Sequence, residues 1–328
     1  MYVDIDRKYF NDNRPPNGGG GAYAAIDVPS GYQKLCGQRA LDYVRYRHLD
    51  SDLVRAARQQ SFLGEAKGQI GVSGVFSDRK TLLRIFARSV RTDIRSSRSI
   101  LSLLKLVAES SSKPVAEVQF PALDAGDGSG NVVISDGSLH ATVQRFLDVR
   151  ATKGARGKTP ESVGAKRAAR RAPHARGAST ATAPGLVAAR AAGEDEAARL
   201  QVKLPSLPVY APRLLATGGR YRTDYARAYA VADHGGHRHR AYRIVAFEGS
   251  IGQYYGVQGT TWKSPPILDD PSERRRIAGR TYELFYDGGR LRLVAWRTPH
   301  AVYWVSNTLL RTLTNRQMLA IARSSARV

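Results

Sequence analysis

The chain is poor in cysteine, in acidic residues and in long apolar runs. Cys36 is the one cysteine in 328 residues, so no internal disulfide can form. Its neighbours Leu35, Ala40 and Leu41 mark it as a small buried apolar residue rather than a nucleophile. No apolar stretch reaches the ~18 residues of a membrane-spanning helix, and Met1 opens no signal-peptide pattern. Asp and Glu number 28 against 51 Lys and Arg, a formal net charge of +23. That is more than solubility needs and implies an anionic partner. Nucleic acid, anionic lipid head groups, a pyrophosphate lipid and teichoic-type polymers all satisfy it. Several signatures are missing too. The run NDNRPPNGGGG (Asn11–Gly21) has no Lys-Ser/Thr to make a phosphate loop and reads as a loop tip. No Gly-x-Ser-x-Gly elbow surrounds Ser250, the DAGDGSG turn lacks calcium-loop spacing, and nothing resembles a helix-turn-helix reader.

What is present suits a mostly globular chain, long enough for two cores, with 42% hydrophobic residues. Met1 to Phe10 reads as a strand, with Asp4 and Asp6 on one side of it. That pair reads as a solvated strand face, with site carboxylates as the alternative. Tyr23 to Val28 is a second strand. Helices follow over 78–90 and 97–109, then strands over 115–120 and 132–135. A helix from Asp136 to Val149, with Leu139, Val143 and Phe146 inward, closes this part. Helices alternating with strands make it α/β or α+β.

The most informative stretch is Gly37 to Ile70. A helical pattern from Gln38 to Arg47 and another from Asp50 or Ser51 to Gln69 flank a short break. At 100° per residue, Arg55, Gln59, Phe62, Leu63, Ala66 and Ile70 all fall within about 80° of Asp52. The inward stripe is therefore polar for two turns and apolar for the next two. An unpaired buried charge is costly, so this is the pattern of a helix that lines a polar site and then enters a core. Arg45 and Arg47 end the preceding helix. Four arginines (Arg45, Arg47, Arg55, Arg58) thus gather near Asp52 and Gln59, and guanidinium forks suit phosphate or pyrophosphate oxygens. Two amphipathic helices with solvated arginines and an Asp52–Arg55 ion pair would explain the same spacing.

The run ALDYVRYRHLDSDLVRAARQQ resembles the signature of the LytR-CpsA-Psr family, the cell envelope-related transcriptional attenuator domain. Its Arg-x-Arg falls on Arg45 and Arg47, its Asp-x-x-Arg on Asp52 and Arg55, and its Arg-Gln on Arg58 and Gln59. GYQKLCGQRALDY (Gly31–Tyr43) and YVDID (Tyr2–Asp6) are similar as well. The resemblance covers about residues 1 to 70 and continues more weakly to about 150. It implies the C-terminal half of a three-layer α/β/α core over 1–150. It also implies a membrane-anchored, extracytoplasmic phosphotransferase, which moves a glycopolymer from a polyprenyl-pyrophosphate carrier onto peptidoglycan or another wall acceptor. On that likeness Arg45, Arg47, Arg55, Arg58 and Gln59 hold the pyrophosphate. Asp52 and Arg55 are the catalytic pair, and Phe62, Leu63 and Ala66 line a lipid tunnel. Magnesium or another divalent metal offsets the charge. The family's metal-binding aspartate, a further arginine and the anchoring helix lie upstream, so by the resemblance this chain is N-terminally truncated and carries part of a site.

Residues 151–200 read as a disordered linker. Sixteen of them are alanine, and ten Lys or Arg face four Asp or Glu, too little apolar surface to fold. A β-rich domain follows over 201–328, with strands at Val209–Leu215, Ala226–Val231, Tyr242–Phe247, Tyr282–Tyr286, Leu291–Trp296 and Val302–Val305. A hairpin turn is expected at Asp287-Gly288-Gly289, and a helix over Asn315–Ser324. The run GQYYGVQGTTW (Gly252–Trp262) reads as core, with sugar stacking as the alternative. His234, His237 and His239 read as a mobile basic loop before a metal site. The competing function class is a non-enzymatic binder of wall polymer or nucleic acid, using the basic charge and a strong salt dependence. Nucleic acid is the less favoured of these partners.

Overall fold

The computed structural model describes residues 1–12, 25–47, 50–69, 136–148, 183–249 and 253–327, with short pieces at 84, 96, 98–100, 102, 123–124 and 132–134. The chain divides into two compact units. One combines Met1–Phe62 with Ala155–Val328, and the other is Leu63–Gly154.

The chain opens with β1 (Tyr2–Ile5), β2 (Tyr9–Asn11), β3 (Ile26–Val28) and β4 (Gly31–Lys34). β1 pairs antiparallel with β4, and β2 with β3. The single strand expected over residues 1–10 is thus broken at Asp6–Lys8, which lets Asp6 and Arg7 turn into the interior. α1 (Gly37–Arg45) and α2 (Asp52–Gln69) follow. Ser51 accepts from the Val54 amide at 3.4 Å as the cap of α2. Cys36, expected to be buried, is exposed at the N-cap of α1. The chain enters the helix there from the surface.

The second unit holds β5 (Leu123–Asp124) paired with β6 (Val132–Val133), and α3 (Asp136–Asp148). On α3, Thr142 is the buried side chain, whereas Val143 and Phe146 are exposed. Leu139 is half-buried, so only part of the inward face expected from the apolar spacing is turned inward. Most of the helices expected over 78–90 and 97–109, and the strand over 115–120, lie outside the described residues.

β7 (Leu186–Ala188) and α4 (Arg190–Gln201) occupy the last part of the stretch expected to be linker. Composition alone could not give this segment a core. The sheet beyond supplies one, and Leu186, Ala197 and Leu200 are buried against it. The remaining elements are β8 (Tyr210–Ala211), β9 (Leu214–Ala216), β10 (Arg220–Tyr221), β11 (Arg227–Ala232), β12 (Arg238–Phe247), β13 (Tyr254–Thr260), β14 (Glu273–Ile277), β15 (Arg280–Asp287), β16 (Arg290–Arg297), β17 (Val302–Ser306), α5 (Asn315–Ser324) and β18 (Ala326–Arg327). Eight of the strands form one antiparallel sheet in the order β10-β12-β13-β17-β16-β15-β14, with β11 also on β12. The expected two-residue turn at Gly288-Gly289 joins β15 to β16, Gly288 having φ +56°. Pro212 falls between β8 and β9, where one strand was expected. It has no amide to give to a ladder.

Strand alternation sends β16 side chains to two cores. Val294 and Trp296 face a cluster covered by Met318, Ile321 and Ala322 of α5. Leu293 and Ala295 face the other side, where Phe285, Trp304 and Trp262 meet Tyr2 and Tyr32 from the start of the chain. β1 is accordingly buried on both faces, Tyr2 against the sheet and Val3 and Ile5 in a third cluster with Tyr9, Leu35, Tyr43 and Tyr46. Asp4 is correspondingly not solvated. It accepts from Trp304 Nε1 at 3.0 Å and from Arg243 Nη1 at 3.2 Å. Tyr2 Oη donates to the Ala232 carbonyl at 2.9 Å, and the Tyr32 amide donates to Tyr229 Oη at 2.6 Å. Trp262 is buried in this packing, Tyr255 in the cluster on the other face, and Tyr254 is buried as well, so the described part of that run, Gln253–Trp262, contributes core rather than an exposed sugar platform.

Gly31 makes the close approach possible. Its φ is +98°, and a Cβ there would meet Tyr229 Oη at 2.6 Å. Gly31→Ala is expected to cost about 1–3 kcal/mol, read as a lower urea midpoint. An unchanged midpoint would mean that the β1–β4 pair shifts on the sheet without penalty.

Candidate functional site

Two levels of arginine chemistry meet where α1 passes into α2. The outer level is a pocket of about 530 Å3, lined by Arg45, Arg47, Arg55 and Gln59. Arg45 is the last residue of α1, and Tyr46 leaves the helix at φ −54°, ψ 131°. That break carries Arg47 past the helix end, beside its neighbour Arg45. Arg55 and Gln59 are one turn apart on α2 and meet them from the other arm. Asp52 lies within 3.1 Å of Arg55 and 3.8 Å of Arg47. Its side chain is 73% exposed and that of Arg55 only 26%, so Asp52 steadies Arg55 from the rim. Gln59 Nε2 donates to the Val44 carbonyl at 3.1 Å and ties α2 back to α1.

The inner level is buried. Arg58 is not in the pocket. Its guanidinium, at 0% exposure, donates to Asp50 Oδ2 and to the Tyr46 carbonyl. Asp50 Oδ1 accepts from Arg7, which is 1% exposed. Tyr9 lies 4.5 Å from Arg7 and 4.8 Å from Arg58 at its ring centroid, and ring faces attract such cations. Burial opposes both arginine charges. Tyr9 and Asp50 outweigh it and hold both guanidiniums protonated above the usual arginine range. Sequence spacing put Arg58 with the other arginines because it shares α2 with Arg55, but a partner at Asp50 pulls it inward. Arg7 was not foreseen, and its one signal is a charge immediately after an apolar strand. Asp50 was foreseen only as a cap.

Asp6, expected on a solvated face, is buried. Tyr9 Oη donates to its Oδ1 at 2.6 Å, while Oδ2 has no partner. Burial pushes its carboxyl up, against the pull of Arg7 and Tyr9. The folded state therefore holds this proton to higher pH than the unfolded chain. The stability it contributes is full below the ordinary value near 3.8 and is lost as pH rises through the raised one. Asp6→Asn is accordingly expected to melt higher than wild type at pH 7, with the gap closing on acidification. A variant that melts lower at pH 7 would show that the ionised carboxylate is the form the fold uses.

Of the apolar stripe, Phe62 is half-buried against Tyr43, with ring centroids 6.3 Å apart. Leu63 is 65% exposed and Ala66 half-buried, and Ile70 lies outside the described residues. Among the described residues no group of three His, Cys, Asp or Glu is gathered as a metal site. Asp52 is shared between two guanidiniums, so this donor set does not fit a dication by itself. In the histidine loop, His239 Nε2 pairs with Asp233 Oδ2 at 3.0 Å and its ring stacks on Trp262. His237 is largely exposed.

A pocket with three guanidiniums and one amide against a single carboxylate has the donor chemistry that suits clustered acidic oxygens. Residues 3–146 match the model of the LytR_cpsA_psr family. The family attaches cell envelope polymers, handles cell-wall polymer and peptidoglycan, and is generally one of transferases. No curated protein and no solved structure gives a significant match to this chain.

Proposed function

We propose that the chain is a glycopolymer phosphotransferase acting on a polyprenyl-pyrophosphate donor, with peptidoglycan or another wall polymer as acceptor. The observation that carries this is the convergence of Arg45, Arg47, Arg55 and Gln59 on one pocket. Three guanidiniums against Asp52 leave two positive charges, which match the roughly two negative charges of a diphosphate diester. Phosphoryl transfer needs in-line placement and neutralised oxygens more than covalent help from the protein.

In this reading an acceptor hydroxyl attacks the phosphorus that carries the glycopolymer. The bond to the bridging oxygen breaks, and polyprenyl monophosphate leaves. Arg45, Arg47 and Arg55 hold the oxygens on which charge builds, and Gln59 fixes Arg45's helix against α2. Asp52 orients Arg55 and takes the proton of the acceptor hydroxyl. Arg58 supports the pocket from behind rather than touching the substrate. Phe62, Leu63 and Ala66 remain the proposed path for the lipid. The same reading keeps residues 1–150 as the later part of a three-layer α/β/α core and places the protein outside the cytoplasm, anchored to the membrane. No helix of the described residues is long and apolar enough to cross a membrane. Magnesium or another divalent metal is what the family resemblance implies for offsetting the charge.

The test is binding of a polyprenyl pyrophosphate analogue to the full chain and to an Arg45→Ala, Arg55→Ala double variant, with and without magnesium. Tight binding that the variant loses supports the transferase. Equal binding in both, with a steep salt dependence, would instead make the chain a general binder of anionic polymer.

A further inference from the structure

The Arg7–Asp50–Arg58 group has a neighbour from the far end of the chain. Arg7 Cζ lies 5.1 Å from the ring centroid of Tyr254 on β13, as well as 4.5 Å from Tyr9 and 5.5 Å from Tyr46. Three rings thus enclose a guanidinium whose Nε has no hydrogen-bond partner. Tyr254 is itself 6% exposed, packed on Phe247 and Tyr225 at 5.1 and 5.7 Å. The ring is therefore held by the sheet, and it in turn holds Arg7.

From Arg7 the contacts run to the pocket without a gap. Arg7 donates to Asp50, Asp50 accepts from Arg58, and Arg58 donates to the Tyr46 carbonyl. Tyr46 is the residue between Arg45 and Arg47, and Arg58 is the residue before Gln59. The buried group therefore joins the backbone of both arms that line the pocket.

We propose that Tyr254 is a positioning residue for the arginine pocket, acting through Arg7, Asp50 and Arg58. The inference rests on the pyrophosphate reading above. It makes the C-terminal sheet part of the site's construction rather than an appended module. A diphosphate has to be gripped at two phosphorus centres, so a small divergence of the two arms costs more affinity for it than for a monophosphate. Leucine at 254 would fill much of the space but has no ring face for the cation, whereas phenylalanine keeps that face.

The experiment compares binding of geranylgeranyl pyrophosphate and geranylgeranyl monophosphate to the full chain. The variants are Tyr254→Phe, Tyr254→Leu, Asp50→Asn, Arg55→Ala and Met318→Ala. Met318 is buried in the cluster on the opposite face of the sheet and reports simple destabilisation. The readout is the ratio of the two affinities, measured well below each melting temperature. Tyr254→Leu and Asp50→Asn are expected to lower that ratio about ten-fold. Tyr254→Phe should keep it, and Met318→Ala should melt earlier with the ratio intact. Should Tyr254→Leu not fold, Tyr254→Met carries the same expectation.

An unchanged ratio in Tyr254→Leu, with Arg55→Ala losing pyrophosphate, overturns the proposal and leaves the transferase reading standing. An equal fall of the ratio in Met318→Ala overturns it too, since that would be loss of stability alone. Should Arg55→Ala bind pyrophosphate as wild type does, the reading falls and the proposal with it.

Discussion

Asp50→Ala is expected to lower the unfolding free energy by about 3–5 kcal/mol, the cost of leaving buried charge without its partner. The Asp50 side chain is fully buried between Arg7 and Arg58, which are 1% and 0% exposed. Each arginine already has a buried Nε with no partner, so neither has a spare acceptor to turn to. Asp6 is the other carboxylate in electrostatic reach, and burial pushes its carboxyl up. A charge on Asp6 in the variant would offset part of the loss, which sets the expected value toward the lower figure. The measurement is a urea titration, in which the midpoint should fall while the slope stays constant. A change under about 1 kcal/mol would show that water reaches these guanidiniums and that the ion pairs behave as surface ones.

The Arg45→Ala, Arg55→Ala double variant is expected to lose about 100-fold or more in affinity for a polyprenyl pyrophosphate. Hydrogen bonds to charged groups contribute about 1.5–3 kcal/mol each. Two guanidiniums removed from opposite arms therefore account for at least two powers of ten. The fold should tolerate the change. Arg45 is exposed, and the ion pair of Arg55 is with a carboxylate that water already solvates. Equal melting temperatures for wild type and variant, alongside the lost affinity, would place the effect in the pocket. The single variant Arg58→Ala should behave in the opposite way and melt much earlier, because it vacates the buried level rather than the pocket. Finding Arg58→Ala as stable as wild type would return it to the substrate-binding set.

The two arginine levels show where reading a sequence succeeds and where it stops. Helical spacing put Arg55 and Gln59 on one stripe of α2, and the short break brought Arg45 and Arg47 to them. These are local facts, set by 3.6 residues per turn and a handful of intervening positions, and the structure keeps all four around one pocket. Arg58 is on the same helix, and nothing local separates it from the others. Its burial is decided by Asp50 and by a ring from β2, and Asp50 is in turn fixed by Arg7, 43 positions away.

The same limit explains Asp4 and the linker. Asp4 alternates as a solvent-facing residue should, yet Arg243 and Trp304, 239 and 300 positions away, bury it. Residues 186–201 are poor in large apolar side chains, yet Leu186, Ala197 and Leu200 find a core that the sheet provides. The exposure of a residue depends on the surface that arrives opposite it, and alternation or composition cannot report a surface from another part of the chain. By itself, then, the sequence determined the helix pair, a set of polar residues at their junction that includes the pocket lining, the basic charge and the β texture of the C-terminal half. Only the tertiary structure decided that the first strands cover one face of the C-terminal sheet. It alone assigned each charge to the pocket or to the core beneath it, because long-range packing sets which charges lose their water and must find a partner.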